Sequence, residues 1–248
     1  MTWDSIAGLA ALAGATLLGA ATQRLTGVGF ALVAAPLLVF ILGPFNGVLI
    51  VNVLGALTAL LVLVQVFRLV EYRRVFRLMI PAVLAIIPGA WVASVAKPEV
   101  LSVIIGVLII GALVVSLTAK KAKWLQGTRG TLIAGSMSGF MNVTSGAGGP
   151  AITAYAVASR WPHHAFAASA QLYFFGVGTA SLLAKHTIPQ LSSLEWIACG
   201  VGLVAGIALG GLFAGKLSPR VGRVAVIGLA FAGALALLVK GTVQLAAG

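Results

Sequence analysis

The chain has 248 residues, of which 60% are hydrophobic and 8% charged, and its mean hydropathy is +1.12. A soluble domain carries roughly a quarter charged residues, so this composition excludes one and calls for a protein embedded in lipid. The net charge of +12 comes from Lys and Arg gathered in short segments between apolar runs, which marks topology rather than the basic, aromatic-interleaved face of a nucleic-acid binder.

The first apolar segment runs from Ile6 to Leu42. Asp4 is the only charge before Arg24, so the basic start of a secretory leader is missing and the segment is expected to stay in the mature chain. It is too long for one upright span, and "QRLTGVGF" at 23–30 interrupts it with one arginine and a Gly-x-Gly. Ordinary spans are expected at about 45–67, 78–96, 100–118, 165–184, 196–215 and 224–244. Segment 131–159 resembles the first in being long and glycine-broken around "TSGAGGP". Either broken segment can be read as one interrupted helix or as a helical hairpin. Cys199, the only cysteine, lies in an expected span and excludes an intrachain disulfide or a Cys-cluster metal site.

Loop charge decides between those readings. Three loops are strongly basic: Arg68, Arg73, Arg74 and Arg77; Lys120, Lys121, Lys123 and Arg129; and Lys216, Arg220 and Arg223. Cytoplasmic loops carry the excess of Lys and Arg, and the second and third loops can share that side only if segment 131–159 enters and leaves on one face. A hairpin satisfies the count.

Sliding the chain along itself by 119 residues aligns Gln23 with Asn142, Thr26 with Ser145, Gly27 with Gly146, Gly29 with Gly148 and Asn52 with Gln171. The aligned loops have opposite charge character, so the halves are expected to be inverted, an arrangement common in secondary transporters. The expected fold is an all-α polytopic membrane protein. It is a single transmembrane domain over residues 1–248, with inverted repeats at about 5–118 and 130–245, each a glycine-broken hairpin plus three transmembrane helices. Hairpin one then opens outside, hairpin two opens to the cytoplasm, and both chain ends lie outside.

The two tips are the expected site. Irregular backbone at membrane depth must line a cavity or be buried in protein. The second arm of each hairpin starts just after the glycines, so its free N–H groups and positive dipole end point inward and suit an anion. Gly27, Gly29, Gly146, Gly148 and Gly149 let an oxyanion reach the backbone, Thr26 and Ser145 offer hydroxyls, and Gln23, Asn52, Asn142 and Gln171 offer amides. Pro150 suits the first turn of the second arm. The amides are equally readable as helix-to-helix glue. Arg24 is the one charge expected deep in the membrane; it either reaches the cavity or turns out to an interface. The ladder Gly202, Gly206, Gly210, with Gly211 and Gly215, reads as helix packing, Pro81 and Pro88 as kinks, and His163, His164 and His186 as surface residues.

With its duplicated Gly-x-Gly segments, its "SGAGGPA" element and nearly 250 residues of short-looped membrane helix, the chain resembles the TauE/SafE family of membrane permeases, the sulfite exporters. The resemblance covers nearly the full length and implies export of small sulfur-containing anions such as sulfite, sulfoacetate or other organosulfonates from a bacterial inner membrane. Half one departs from the doubled-glycine form, reading "TGVGF" against "SGAGG", which puts Phe30 beside the first tip. No Asp or Glu is expected inside a span, so no carboxylate proton relay is visible, and no catalytic pair or metal cluster marks an enzyme. The expected partners are a small anionic substrate and the bilayer, with no cofactor and no nucleic acid; a homodimer is compatible with the sequence. Competing readings are a channel-like or uptake permease for another small anion and a non-transporting membrane assembly factor.

Overall fold

A computed structural model describes residues 6–118, 123–213 and 219–247. The described chain is all helical: α1 (Ile6–Thr26), α2 (Phe30–Leu42), α3 (Pro44–Val66), α4 (Tyr72–Val95), α5 (Pro98–Thr118), α6 (Gly127–Ser145), α7 (Gly149–Ala158), α8 (His163–Lys185), α9 (Ser193–Phe213) and α10 (Pro219–Ala247). Two short 3₁₀ turns cover Phe67–Leu69 and Lys123–Leu125. Among the described residues, seven helices are long and apolar enough to cross a bilayer: α1, α3, α4, α5, α8, α9 and α10. The protein is therefore a multi-pass membrane protein. Asp4, Lys120, Lys121, Gly215 and Lys216, used above as charge or packing signals, lie outside the described residues.

Both glycine-broken segments are bent pairs of helices. α1 stops at Thr26 and α2 starts at Phe30; α6 stops at Ser145 and α7 starts at Gly149. The arms are unequal. At about 1.5 Å per residue, α1 and α6 measure about 31 and 28 Å, whereas α2 and α7 reach about 20 and 15 Å and fall short of the hydrocarbon thickness. The order of a broken pair followed by three long helices occurs twice, and the boundaries keep the 119-residue shift. Adding 119 to the ends of α3, 44 and 66, gives 163 and 185, the ends of α8.

Packing follows from small residues. α9 lies along α1, where a Cβ added at Gly210 would come within 2.8 Å of the Ala21 carbonyl oxygen; Gly206 and Gly202 meet the Leu17 and Ala13 carbonyls even more closely. The expected glycine ladder is thus a close helix contact. α6 lies along α4 in the same manner, with Gly135 against Leu78 and Gly139 against Ala82. α5 runs antiparallel to α10: Gly106 meets Ala234 and Leu238, whereas Gly241 meets Glu99, Ser102 and Val103. α3 packs on α8, and their directions are opposed, since Asn46 at the start of α3 bonds Gln190 beyond the end of α8, while Glu71 beyond the end of α3 bonds Ser169 near the start of α8. The outer helices turn large apolar side chains outward. On α4, Phe76, Ile80, Leu84, Ile87 and Trp91 are exposed and Leu78, Ala82 and Ile86 are buried, with Pro81 and Pro88 inside the helix. An exposed apolar face of this length suits lipid.

Candidate functional site

The two tips are built alike. At each, a glycine follows the last helical residue in the left-handed region, Gly27 at φ +78° and Gly146 at φ +73°, a conformation that costs glycine little. The Gly27 N–H donates to the Gln23 carbonyl at 2.8 Å and the Gly146 N–H to the Asn142 carbonyl at 2.9 Å. Each tip hydroxyl closes its turn. Thr26 Oγ1 donates within 2.9 Å to the carbonyls of Thr22 and Val28 and accepts from the Val28 N–H. Ser145 Oγ donates to the Met141 carbonyl at 2.7 Å and accepts from the Ala147 N–H at 3.3 Å. The hydroxyls expected to face a ligand are therefore occupied in holding the tips.

The amides pair across the halves. Gln23 Nε2 donates to Gln171 Oε1 at 3.0 Å, and Asn142 Nδ2 donates to Asn52 Oδ1 at 2.6 Å. These are the same two positions of the repeat, taken in opposite order. Gln171 Nε2 is held by the Gly27 and Ala167 carbonyls at 2.7 and 2.9 Å. Asn52 Nδ2 is held by the Val48 and Asn142 carbonyls at 3.0 and 3.3 Å, and Asn142 Nδ2 also reaches Ser181 Oγ at 3.0 Å. All four amide residues are buried. Ser181 and Ser138, whose Oγ donates to the Gly148 carbonyl at 2.8 Å, belong to this framework without having been singled out in the sequence.

Between the tips lies a narrow cavity whose free interior is about 30 Å³, the room of one or two water molecules. Gln23, Gly29, Asn52, Asn142, Gly146 and Gly149 line it, together with Phe30, Ala31 and Leu32 from the first turn of α2 and Phe174 and Gly178 from α8. Neither α2 nor α7 has a side-chain N-cap, so the first-turn N–H groups of α2, on the cavity-lining residues Phe30, Ala31 and Leu32, have no helical acceptor, and Pro150 follows Gly149 where it forfeits no helical bond. Phe30 sits at the cavity edge and fills the space beside Gly19 and Gly55.

The remaining expected site residues stand behind this lining. Thr26, Gly27, Ser145 and Gly148 shape the tips, and Gln171 orients Gln23. Arg24 is placed differently: it is half-buried on the α9 side of α1, where Cβ atoms built at Gly210 and Gly211 would meet its Cβ at 2.8 Å and its Nε at 3.9 Å. It is not in the cavity lining. A buried lysine lies elsewhere, at the end of α8. Lys185 ends α8 with Nζ 5.0 Å from the Phe45 ring centre and no hydrogen-bond partner among the described residues. His163, His164 and His186 are exposed.

Two contacts tie the halves at opposite ends of α3. At one end Glu71 accepts from Trp161 Nε1 at 2.9 Å and pairs with Arg74 at 3.4 Å, its backbone N–H donates to Ser169 Oγ, and the Arg74 guanidinium lies 4.5 Å over the Trp161 ring. At the other end Asn46 donates to the Gln190 carbonyl and accepts from its N–H, both at 2.9 Å. Glu71 and Gln190 are equivalent under the 119-residue shift.

No curated protein and no solved structure matches the sequence. The family model described as sulfite exporter TauE/SafE does match, over residues 11–237, so a bundle of membrane-crossing helices around two glycine-broken tips belongs to a family of transporters: the chain is a member of the TauE/SafE sulfite exporter family.

Proposed function

We propose that the protein exports small sulfur-containing oxyanions, sulfite, sulfoacetate or related organosulfonates, across a bacterial inner membrane by alternating access around the cavity between the tips. The observation that carries this reading is the cavity itself: a largely apolar wall that includes the buried amides Gln23, Asn52 and Asn142, at the junction of the two halves and beside an uncapped helix start. The positive end of α2 and the exposed backbone donors favour an anion without a fixed countercharge. Proton coupling is unnecessary. With the cell interior negative, each negative charge leaving gains about 2.3 kcal/mol per 100 mV.

The rocking motion rests on an inverted repeat in one transmembrane domain. The antiparallel course of the equivalent pairs α3 with α8 and α5 with α10 supports it, as does the exchange in which α1 packs on α9 and α6 on α4. The two contacts at the ends of α3 are then gates, with the Glu71 cluster on the cytoplasmic side beside Arg68, Arg73 and Arg77. In this reading Arg24 acts from the α1–α9 interface, adding positive potential near the tip without touching cargo. Arg24→Gln should lower affinity for anions by a factor of a few and leave the melting temperature within a few degrees.

The test is ligand-induced thermal stabilisation of purified protein across sulfite, sulfate, sulfoacetate, taurine and carboxylate analogues, since a ligand bound to the native state raises apparent stability. Stabilisation confined to sulfur oxyanions supports the reading. Stabilisation by carboxylates alone assigns another anion, and none by any of them favours a non-transporting assembly role.

A further inference from the structure

The hydrogen-bond network fixes which end of each cavity amide is left over. Gln171 Nε2 lies between two carbonyl oxygens, so its Oε1 must face Gln23, and Gln23 must answer with Nε2. Asn52 Nδ2 likewise lies between two carbonyls, so its Oδ1 must face Asn142, and Asn142 must answer with Nδ2. A flip of either Gln171 or Asn52 would set three oxygens together. What remains on the hairpin side is Gln23 Oε1 with one spare Gln23 N–H, and Asn142 Oδ1 with no spare N–H, because Ser181 takes the second. Neither oxygen accepts a hydrogen bond among the described residues. Both side chains are at least 95% buried and both line the cavity.

Resting on the anion-site reading above, we infer that the cavity selects anions that bring their own hydrogen-bond donor: hydrogen sulfite over fully deprotonated sulfite, and hydroxy- or amino-alkylsulfonates over plain alkylsulfonates. The start of α2 receives the anionic oxygens. Gln23 Oε1 and Asn142 Oδ1 receive an O–H or N–H of the same ligand. A ligand without a donor sets its lone pairs, or an apolar carbon, against two cavity-facing acceptors, cuts them off from water and leaves them unpaired, and sites built this way discriminate far more strongly than apolar pockets do. Gln23 and Asn142 are then the residues that set specificity, one from each half.

The experiment compares two alkylsulfonates of similar size, 2-hydroxyethanesulfonate and 1-propanesulfonate, by calorimetric titration of the intact protein in nanodiscs, and adds a sulfite titration from mildly acidic to mildly alkaline pH. The expected result is binding of the hydroxylated anion at least about tenfold tighter, the scale of one unsatisfied buried acceptor. Sulfite affinity should fall as pH rises through the hydrogen sulfite to sulfite transition, and in Gln23→Met the preference for the hydroxylated anion should shrink. Equal binding of the two sulfonates, or sulfite affinity that rises with pH, overturns the donor requirement while leaving the sulfur-anion reading intact. Binding of no sulfur anion removes both. The pH titration uses wild-type protein, so it decides even if Gln23→Met fails to fold.

Discussion

Gly27 and Gly146 are the residues on which each tip turns. Their left-handed backbone penalises any side chain by about 1–2 kcal/mol, and a Cβ would also come within 2.7 Å of Ala167 Cβ at the first tip and Val51 Cγ1 at the second. Gly27→Ala and Gly146→Ala should each lower the melting temperature in detergent, whereas Gly43→Ala, also at positive φ but with nothing within 4 Å of its Cβ, should lose only the conformational part. The amide pairs invite a double-mutant cycle. Asn52→Ala and Asn142→Ala should couple by about 0.6–2 kcal/mol in unfolding, as intramembrane hydrogen bonds do; additive losses would mean the 2.6 Å contact contributes nothing of its own. The tips were legible in the sequence because glycine, hydroxyl and amide recur at one fixed shift. Their bonding was not, since Gln23 meets a residue 148 positions away and Asn142 one 90 positions away, and only the packed helices decide whether an amide faces a ligand or another amide. For the same reason the hydroxyls of Thr26 and Ser145 read as ligand donors, although each is consumed locally by its own turn.

At the level of helices, close approach of backbones positions both hairpins. Gly206→Val would force a branched side chain against the Leu17 carbonyl and Ala20 Cβ, and should destabilise by about 1–3 kcal/mol through overpacking. Gly111→Val on α5, with open space around its Cβ, is the matched control and should stay near neutral. Loss of stability in both would point to helix propensity rather than the α1–α9 contact. This contact was legible as a four-residue glycine ladder on α9. Its counterpart was harder to see, because the glycines that let α6 approach α4, Gly135 and Gly139, sit on the hairpin arm itself and not on the long helix. Arg24 and Lys185 show the same limit. Sequence assigns depth to a charge along the chain but not direction around a helix, and Arg24 turns toward α9 while Lys185 folds under Phe45.

Across the whole molecule, two dissimilar contacts join the halves at opposite ends of α3. The Glu71 cluster uses a carboxylate, an indole N–H and a guanidinium stacked on Trp161, and the Asn46–Gln190 pair uses neutral amides. Charge-assisted bonds are roughly twice as strong as neutral ones, so the Glu71 end should open less readily. Glu71→Gln should weaken that closure by about 1.4 kcal/mol and raise the population open on the cytoplasmic side about tenfold. A cysteine placed at Val28, beside the tip, would register this as faster labelling from the cytoplasmic side in Glu71→Gln, with Asn46→Ala speeding labelling from the other side; no change in either would remove these contacts from gating. The central claim, a saturable carrier turning about the cavity, is tested most directly by counterflow in proteoliposomes. Vesicles loaded with unlabelled sulfite should accumulate labelled sulfite transiently above equilibrium, and Gly149→Val, whose side chain would press on Val28 and Phe174 at the cavity wall, should abolish the overshoot. Flux that grows linearly with sulfite and shows no overshoot would contradict the carrier account.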